Sequence, residues 1–215
     1  MIKQFKDYET TKAYTGGTPL PAGAYKCTII GAKVEEYGGS QCIKVGFDIS
    51  EGEHKGRFQA QFDSSKQNSD DAKWPVSGTY SLWVPLDDGS DKDEWAKRKF
   101  KTFTTALEDS NSGYHFDWDE KKFKGKKIGF TIVPTFYQSK DGSREGVSPS
   151  VYDVVSIPDI DKKKYRKLPG LFVPSKLKSA YAEYQKKQAD GSSDQDSYTT
   201  QFNVPEGEDE DVPFL

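Results

Sequence analysis

Apolar and polar residues alternate over positions 24–34, where Tyr25, Cys27 and Ile29 share one face, and again over 41–49 through Ile43, Val45, Phe47 and Ile49. A period of two is the mark of a strand with one buried face. Tyr37, Gly38, Gly39 and Ser40 supply the turn between the two strands. Residues 52–56 turn again, and 57–62 (Arg-Phe-Gln-Ala-Gln-Phe) read as a third strand. Residues 63–76 are polar and irregular and predict an exposed loop, with a further strand or strand extension over 79–84. From 91 to 109 the period changes. Ala96, Phe100, Phe103 and Leu107 fall on one helical face, Ser90 or Asp91 caps it, and acids fill its first turn. Residues 110–113 (Ser-Asn-Ser-Gly) stop that helix. Residues 126–133 form a strand that 135–138 extend, 140–143 make a hairpin turn, and 147–157 form the partner strand. A short helix is expected over 175–187.

Three strands, a helix and two strands is the order of the OB-fold, a five-stranded barrel whose open face and loops bind oligonucleotides. The expected fold class is therefore mainly β: an OB-like barrel with a helix between strands 3 and 4. Several small barrels and α+β folds share the same string, so function has to be argued from residues. The expected division is an OB-like nucleic-acid-binding domain over 1–160, a basic segment over 161–187 and a disordered acidic tail over 188–215.

Charge supports that division. The chain carries 31 Lys and Arg against 34 Asp and Glu, a formal net charge of −3. Eight acids and no base lie from Asp190 onward, while residues 161–187 hold nine bases and two acids. The remainder is close to neutral. Segregated charge of this kind points to a polyanionic partner and a tail that competes with it for the cationic surface. Hydrophobic residues make up only 33% of the chain while aromatics reach 13%, so rings must supply much of the core.

Single-stranded nucleic acid is held by cations along its phosphates and aromatic faces under its bases. Trp74, in a polar stretch before Pro75, is the first stacking candidate, followed by Trp83 and Tyr137. Lys121, Lys122, Lys124, Lys126 and Lys127 form the densest lysine run and are the phosphate candidates. The alternative for each is structural: most rings of a small barrel are core, and lysine runs are commonly solvated. No Gly-rich phosphate loop ending in Gly-Lys-Ser/Thr, no G-x-S-x-G and no H-E-x-x-H is present. Asp117 and Glu120-Lys121-Lys122 give a spacing seen in metal-dependent nucleases, a spacing that charge-rich turns also produce. No cofactor and no metal site is expected, since His54, His115, Cys27 and Cys42 lack zinc-site spacing. Both cysteines fall in expected strands and read as reduced and buried. Residues 1–7 lack an apolar signal region and no stretch is long enough to cross a bilayer, so a cytoplasmic protein of the host cell is expected.

The C-terminal residues Asp209, Glu210, Asp211, Val212, Pro213, Phe214 and Leu215 put an acidic run before a Pro-aromatic anchor. Clustered charge speeds encounter and one ring fills a pocket, so this tip is a candidate partner-binding element. It resembles the C-terminal tip of bacterial single-stranded-DNA-binding proteins, which recruits replication, recombination and repair enzymes. The chain carries Leu215 beyond the Phe on which that family's tip usually ends. The body, through residues 20–25 (Leu-Pro-Ala-Gly-Ala-Tyr), 47–52 (Phe-Asp-Ile-Ser-Glu-Gly) and much of 100–126, resembles replication-region proteins of phages that infect Gram-positive bacteria.

Both resemblances imply a phage protein that binds single-stranded DNA without sequence preference and recruits host or phage replication and recombination proteins through its tip. The other readings are a protein-interaction adaptor that recruits or blocks host DNA-processing enzymes, and a metal-dependent nuclease. Self-association is compatible with all three.

Overall fold

The computed structural model describes residues 20–189; the N-terminal residues and the acidic tail with its tip lie outside it. Strands β1 (Gly23–Tyr37), β2 (Ser40–Ile49), β3 (Thr79–Trp83), β4 (Lys127–Gln138) and β5 (Glu145–Val155) form one antiparallel sheet in the order β3-β2-β1-β4-β5. Helices α1 (Arg57–Asn68), α2 (Asp91–Asp109), α3 (Ile157–Asp161) and α4 (Lys178–Ala189) complete the fold. The fold is mainly β, and no described helix is long and apolar enough to cross a membrane.

β1 organises the sheet. Its first half, from Gly23 to Thr28, pairs with β4, and from Cys27 onward it pairs with β2. At Ile30 a bulge intervenes, because Ile29 faces Phe47 while Gly31 faces Gly46. Bulges bend a strand and increase its twist. The sheet curls accordingly, until the Tyr80 ring of β3 lies 5.5 Å from the Phe130 ring of β4, with two strands between them in the pairing order. Phe47 packs on Phe130 at 4.3 Å, and α2 closes the concave side by stacking Phe103 on Tyr80 at 5.8 Å. Helix α2 touches β3, β4 and β5. The core therefore lies between the curled sheet and α2, and it is built largely of rings, as the composition requires.

Helix α2 and the strands follow the sequence pattern closely. Ser90 caps α2 by accepting from the Asp93 N–H at 3.2 Å. Residues 57–62, expected as a strand, are instead the start of α1. Phe58 and Phe62 stand four apart, a spacing that fits one helical face as well as one strand face. The decision comes from Asp48 on β2. Its buried carboxylate accepts from Phe58 N at 2.9 Å and from Gln59 N at 3.2 Å, satisfying first-turn donors that Gly56 at the cap leaves bare. Helix α1 also takes in residues 63–68 of the expected loop.

Beyond Ile132, β4 has no β1 partner, and residues 133–138 with the start of β5 form a two-stranded arm. The basic segment packs on this arm. Phe172 bridges Thr135 in parallel, with Phe136 N donating to the Phe172 carbonyl at 2.9 Å and Phe172 N to Pro134 at 2.8 Å. Tyr181 and Tyr184 of α4 pack on the buried Phe136 ring at 5.0 and 5.3 Å.

Candidate nucleic-acid interface

Alternation in the strands sends Ile43, Val45, Phe47 and Leu82 into the core and their neighbours to the outer, convex face. Cross-strand partners share a face, so Lys33 of β1, Lys44 of β2 and Ser81 of β3 form one outer row. Glu35, Cys42 and Trp83 form the next. Tyr37 and Trp83 close over this second row with ring centres 5.7 Å apart.

Lys44 is held at the middle of the face. Its Nζ lies 3.0 Å from Ser81 Oγ and 5.4 Å from the centre of the Tyr37 ring. The Tyr37 hydroxyl donates to Glu35, and this bond, aided by Lys33, holds the Glu35 carboxyl below the usual range against the opposing effect of partial burial. An ionised Glu35 thus fixes Tyr37, and Tyr37 with Ser81 fixes Lys44.

Trp74 reaches the same face from the segment after α1. A Cβ placed on Gly46 would stand 3.6 Å from its Cδ1, so the ring covers the glycine on the outward side. Its indole N–H donates to the Gly78 carbonyl at 2.9 Å, and Phe62 packs on it at 5.4 Å with Lys66 over the Phe62 ring at 4.9 Å. Trp74 is half-buried rather than displayed on a free loop. Lys127, first residue of β4, stands opposite Thr28 beside the partly exposed Ile30 and rims an outer depression of about 420 Å³ with Lys55.

The expected site residues are therefore distributed over three places. Trp74, Trp83 and Lys127 share the outer face. Lys121, Lys122 and Lys124 lie on and just after the 3-10 turn Glu120–Phe123, where Lys122 pairs with Asp117, and Lys126 sits over the Tyr114 ring at 4.6 Å. Tyr137 is on the β4–β5 arm, its hydroxyl 3.3 Å from where a Cβ on Gly146 would stand. Asp209, Glu210, Asp211, Val212, Pro213, Phe214 and Leu215 fall outside the described residues. Sequence reading passed over Tyr37 and Lys44. Tyr37 looked like part of a glycine turn, but Lys44, between the inward Ile43 and Val45, was an outward cation that alternation alone could have found.

Among the described residues no group of three or more His, Cys, Asp or Glu side chains is placed to hold a metal ion. Asp117 is engaged by Lys122, and that ion pair pulls the Asp117 carboxyl below its ordinary range. Cys27 and Cys42 are both buried and no disulfide joins them, and burial pushes the Cys27 thiol far up. No protein-family model matches the chain, and no curated protein matches it.

Proposed function

We propose that the protein binds single-stranded DNA, without sequence preference, across the outer face of β1, β2 and β3. The observation that carries this reading is the gathering of Trp74, Trp83, Tyr37 and Lys44 on one open sheet face, with Lys127 at its border. Aromatic rings interleaved with fixed cations on a curled sheet suit bases and phosphates in alternation. A long first strand pairing with both the second and the fourth, with a helix between the third and fourth, supports an OB-like barrel as the scaffold.

In this reading the protein serves phage DNA replication or recombination inside the host cell. The tip from Glu208 to Leu215 recruits partner proteins and competes with DNA for the cationic surface. Titrating the intact protein with oligo-dT at low salt tests the reading through its tryptophan fluorescence. Quenching that weakens steeply as salt rises is expected, because bound phosphates displace counterions. No quenching at low salt would remove DNA binding and leave the adaptor reading. Deleting residues 206–215 should tighten binding, and a weaker complex would end the competition idea.

A further inference from the structure

Trp118 differs from the other tryptophans. Trp74, Trp83 and Trp95 are half-buried, whereas Trp118 is 76% exposed, more than any other large apolar side chain among the described residues. Its backbone has φ 66°, the left-handed region that a bulky aromatic residue rarely occupies. Such a conformation persists only where the surroundings impose it. Here one ring face lies almost flat on Phe100, with centroids 5.7 Å apart and planes at 16°, while Phe116 tilts against it at 5.2 Å. Asp117 on one side is tied to Lys122, and Asp119 on the other caps the next turn by accepting from Lys121 N. The loop therefore presents Trp118 with one face backed by protein and the rest of the ring in solvent.

A lysine run leads from this ring to the outer face. Lys121 and Lys124 are exposed and have no acidic partner among the described residues. The stretch is stitched to β1, with Gly125 N donating to the Ile29 carbonyl at 2.8 Å and Ile29 N to the Lys126 carbonyl at 2.9 Å. Strand alternation then turns Lys126 over the Tyr114 ring and Lys127 onto the outer face beside Ile30. Asp119 lies 4.0 Å from the same Lys122 ammonium that holds Asp117, so one cation answers both carboxylates. From 117 to 127 five lysines stand against three acids.

We propose that Trp118 is a second base-stacking platform. A single strand leaving the outer face would pass Lys127, Lys124 and Lys121 and place a base on the open face of this ring. This rests on the nucleic-acid reading above and extends its footprint. The competing role is a lid over Phe100 and Phe116, which needs bulk but no aromatic face.

The experiment compares intact wild-type protein with Trp118→Ala, Trp118→Leu and Trp118→Phe, using oligo-dT of about 6 and about 20 nucleotides, the first near the low end of the roughly 4–16 nucleotides that one small barrel covers and the second beyond it. Trp118→Ala should weaken the long oligomer about 5- to 150-fold, the worth of one stacked base, and leave the short one unchanged. Trp118→Phe should recover most of the loss and Trp118→Leu should not. Wild-type affinity for both lengths in Trp118→Ala, an equal loss at both lengths, or recovery by Leu as complete as by Phe would each overturn the proposal. If Trp118→Ala does not fold, the Leu and Phe variants alone decide it. Failure of the underlying reading looks different: wild-type protein would bind neither length, whereas failure of this proposal alone leaves binding that Trp83→Ala still weakens.

Discussion

Trp74 donates its indole N–H to the Gly78 carbonyl at 2.9 Å, and a Cβ at Gly78 would stand 2.9 Å from that same nitrogen. The orientation of a ring on the outer face thus depends on the absence of a methyl group four residues away. The same Cβ would meet Phe58 Cγ at 2.8 Å, and Phe58 is 1% exposed and has no room to retreat. Gly78→Ala should therefore destabilise by about 1–3 kcal/mol, the usual penalty for overpacking. Urea unfolding gives the magnitude. A shift in the folded-state tryptophan emission would report the displaced indole.

Asp48→Ala removes the carboxylate that holds the first turn of α1. Phe58 N and Gln59 N lose their acceptor, and Ile49 N loses its bond of 2.8 Å. Stability should fall by about 1–3 kcal/mol, the cost of leaving buried donors bare. Far-ultraviolet circular dichroism should show some helix lost while the sheet signal persists. An unchanged urea midpoint would mean that Asp48 does not hold the helix.

On the outer face, Trp83→Ala and Lys44→Ala separate the two contributions to binding. Loss of the Trp83 ring should cost about 1–3 kcal/mol of affinity at every salt concentration. Loss of Lys44 should weaken binding at low salt and reduce the slope of log affinity against log salt by about 1. The Lys44 ammonium is held by Ser81 and the Tyr37 ring, and its charge acts on Glu35 through space without an ion pair among the described residues. Identical slopes in wild type and Lys44→Ala would exclude a phosphate contact there.

Acid should weaken the start of α2 through Asp93. Burial raises its pKa, but the Lys97 ammonium at 3.0 Å and the backbone N–H groups of Asp87 and Leu86 outweigh it and hold the carboxyl below its usual range. A carboxyl depressed in the folded state contributes stability that is complete above the unfolded value of about 3.9 and is lost as pH falls through the folded value. Asp93→Asn should lower Tm at pH 7, and the difference from wild type should shrink as pH drops below about 4. A difference independent of pH would mean that shape, not charge, matters at this position.

Much of the scaffold was legible because local pattern and tertiary structure agree. Ala96, Phe100, Phe103 and Leu107 announce α2, and Ser90 caps it by the expected bond. The period-two residues of β2 all point inward as read. α1 was hidden because its cap, Asp48, comes from another element, and because Phe58 and Phe62 satisfy both periods. The half-burial of Trp74 depends on space left by Gly46 and Gly78, which a reading of neighbouring residues does not reveal. The lysine run looked like one patch. Adjacent residues of a strand face opposite sides, so Lys126 and Lys127 part company at the start of β4.

The two-stranded arm beyond Ile132 changes where the protein can be cut. Two strands alone are marginal in water, and this pair is completed by Phe172 along one side and by Tyr181 and Tyr184 over Phe136. Shortening the chain to residue 160, just past the last strand, would uncover a ring that is now 0% exposed and open a fresh backbone edge beside it. The smallest well-behaved fragment is therefore set by the tyrosines of α4 rather than by the last strand, and a version stripped of its acidic tail should keep everything through Ala189.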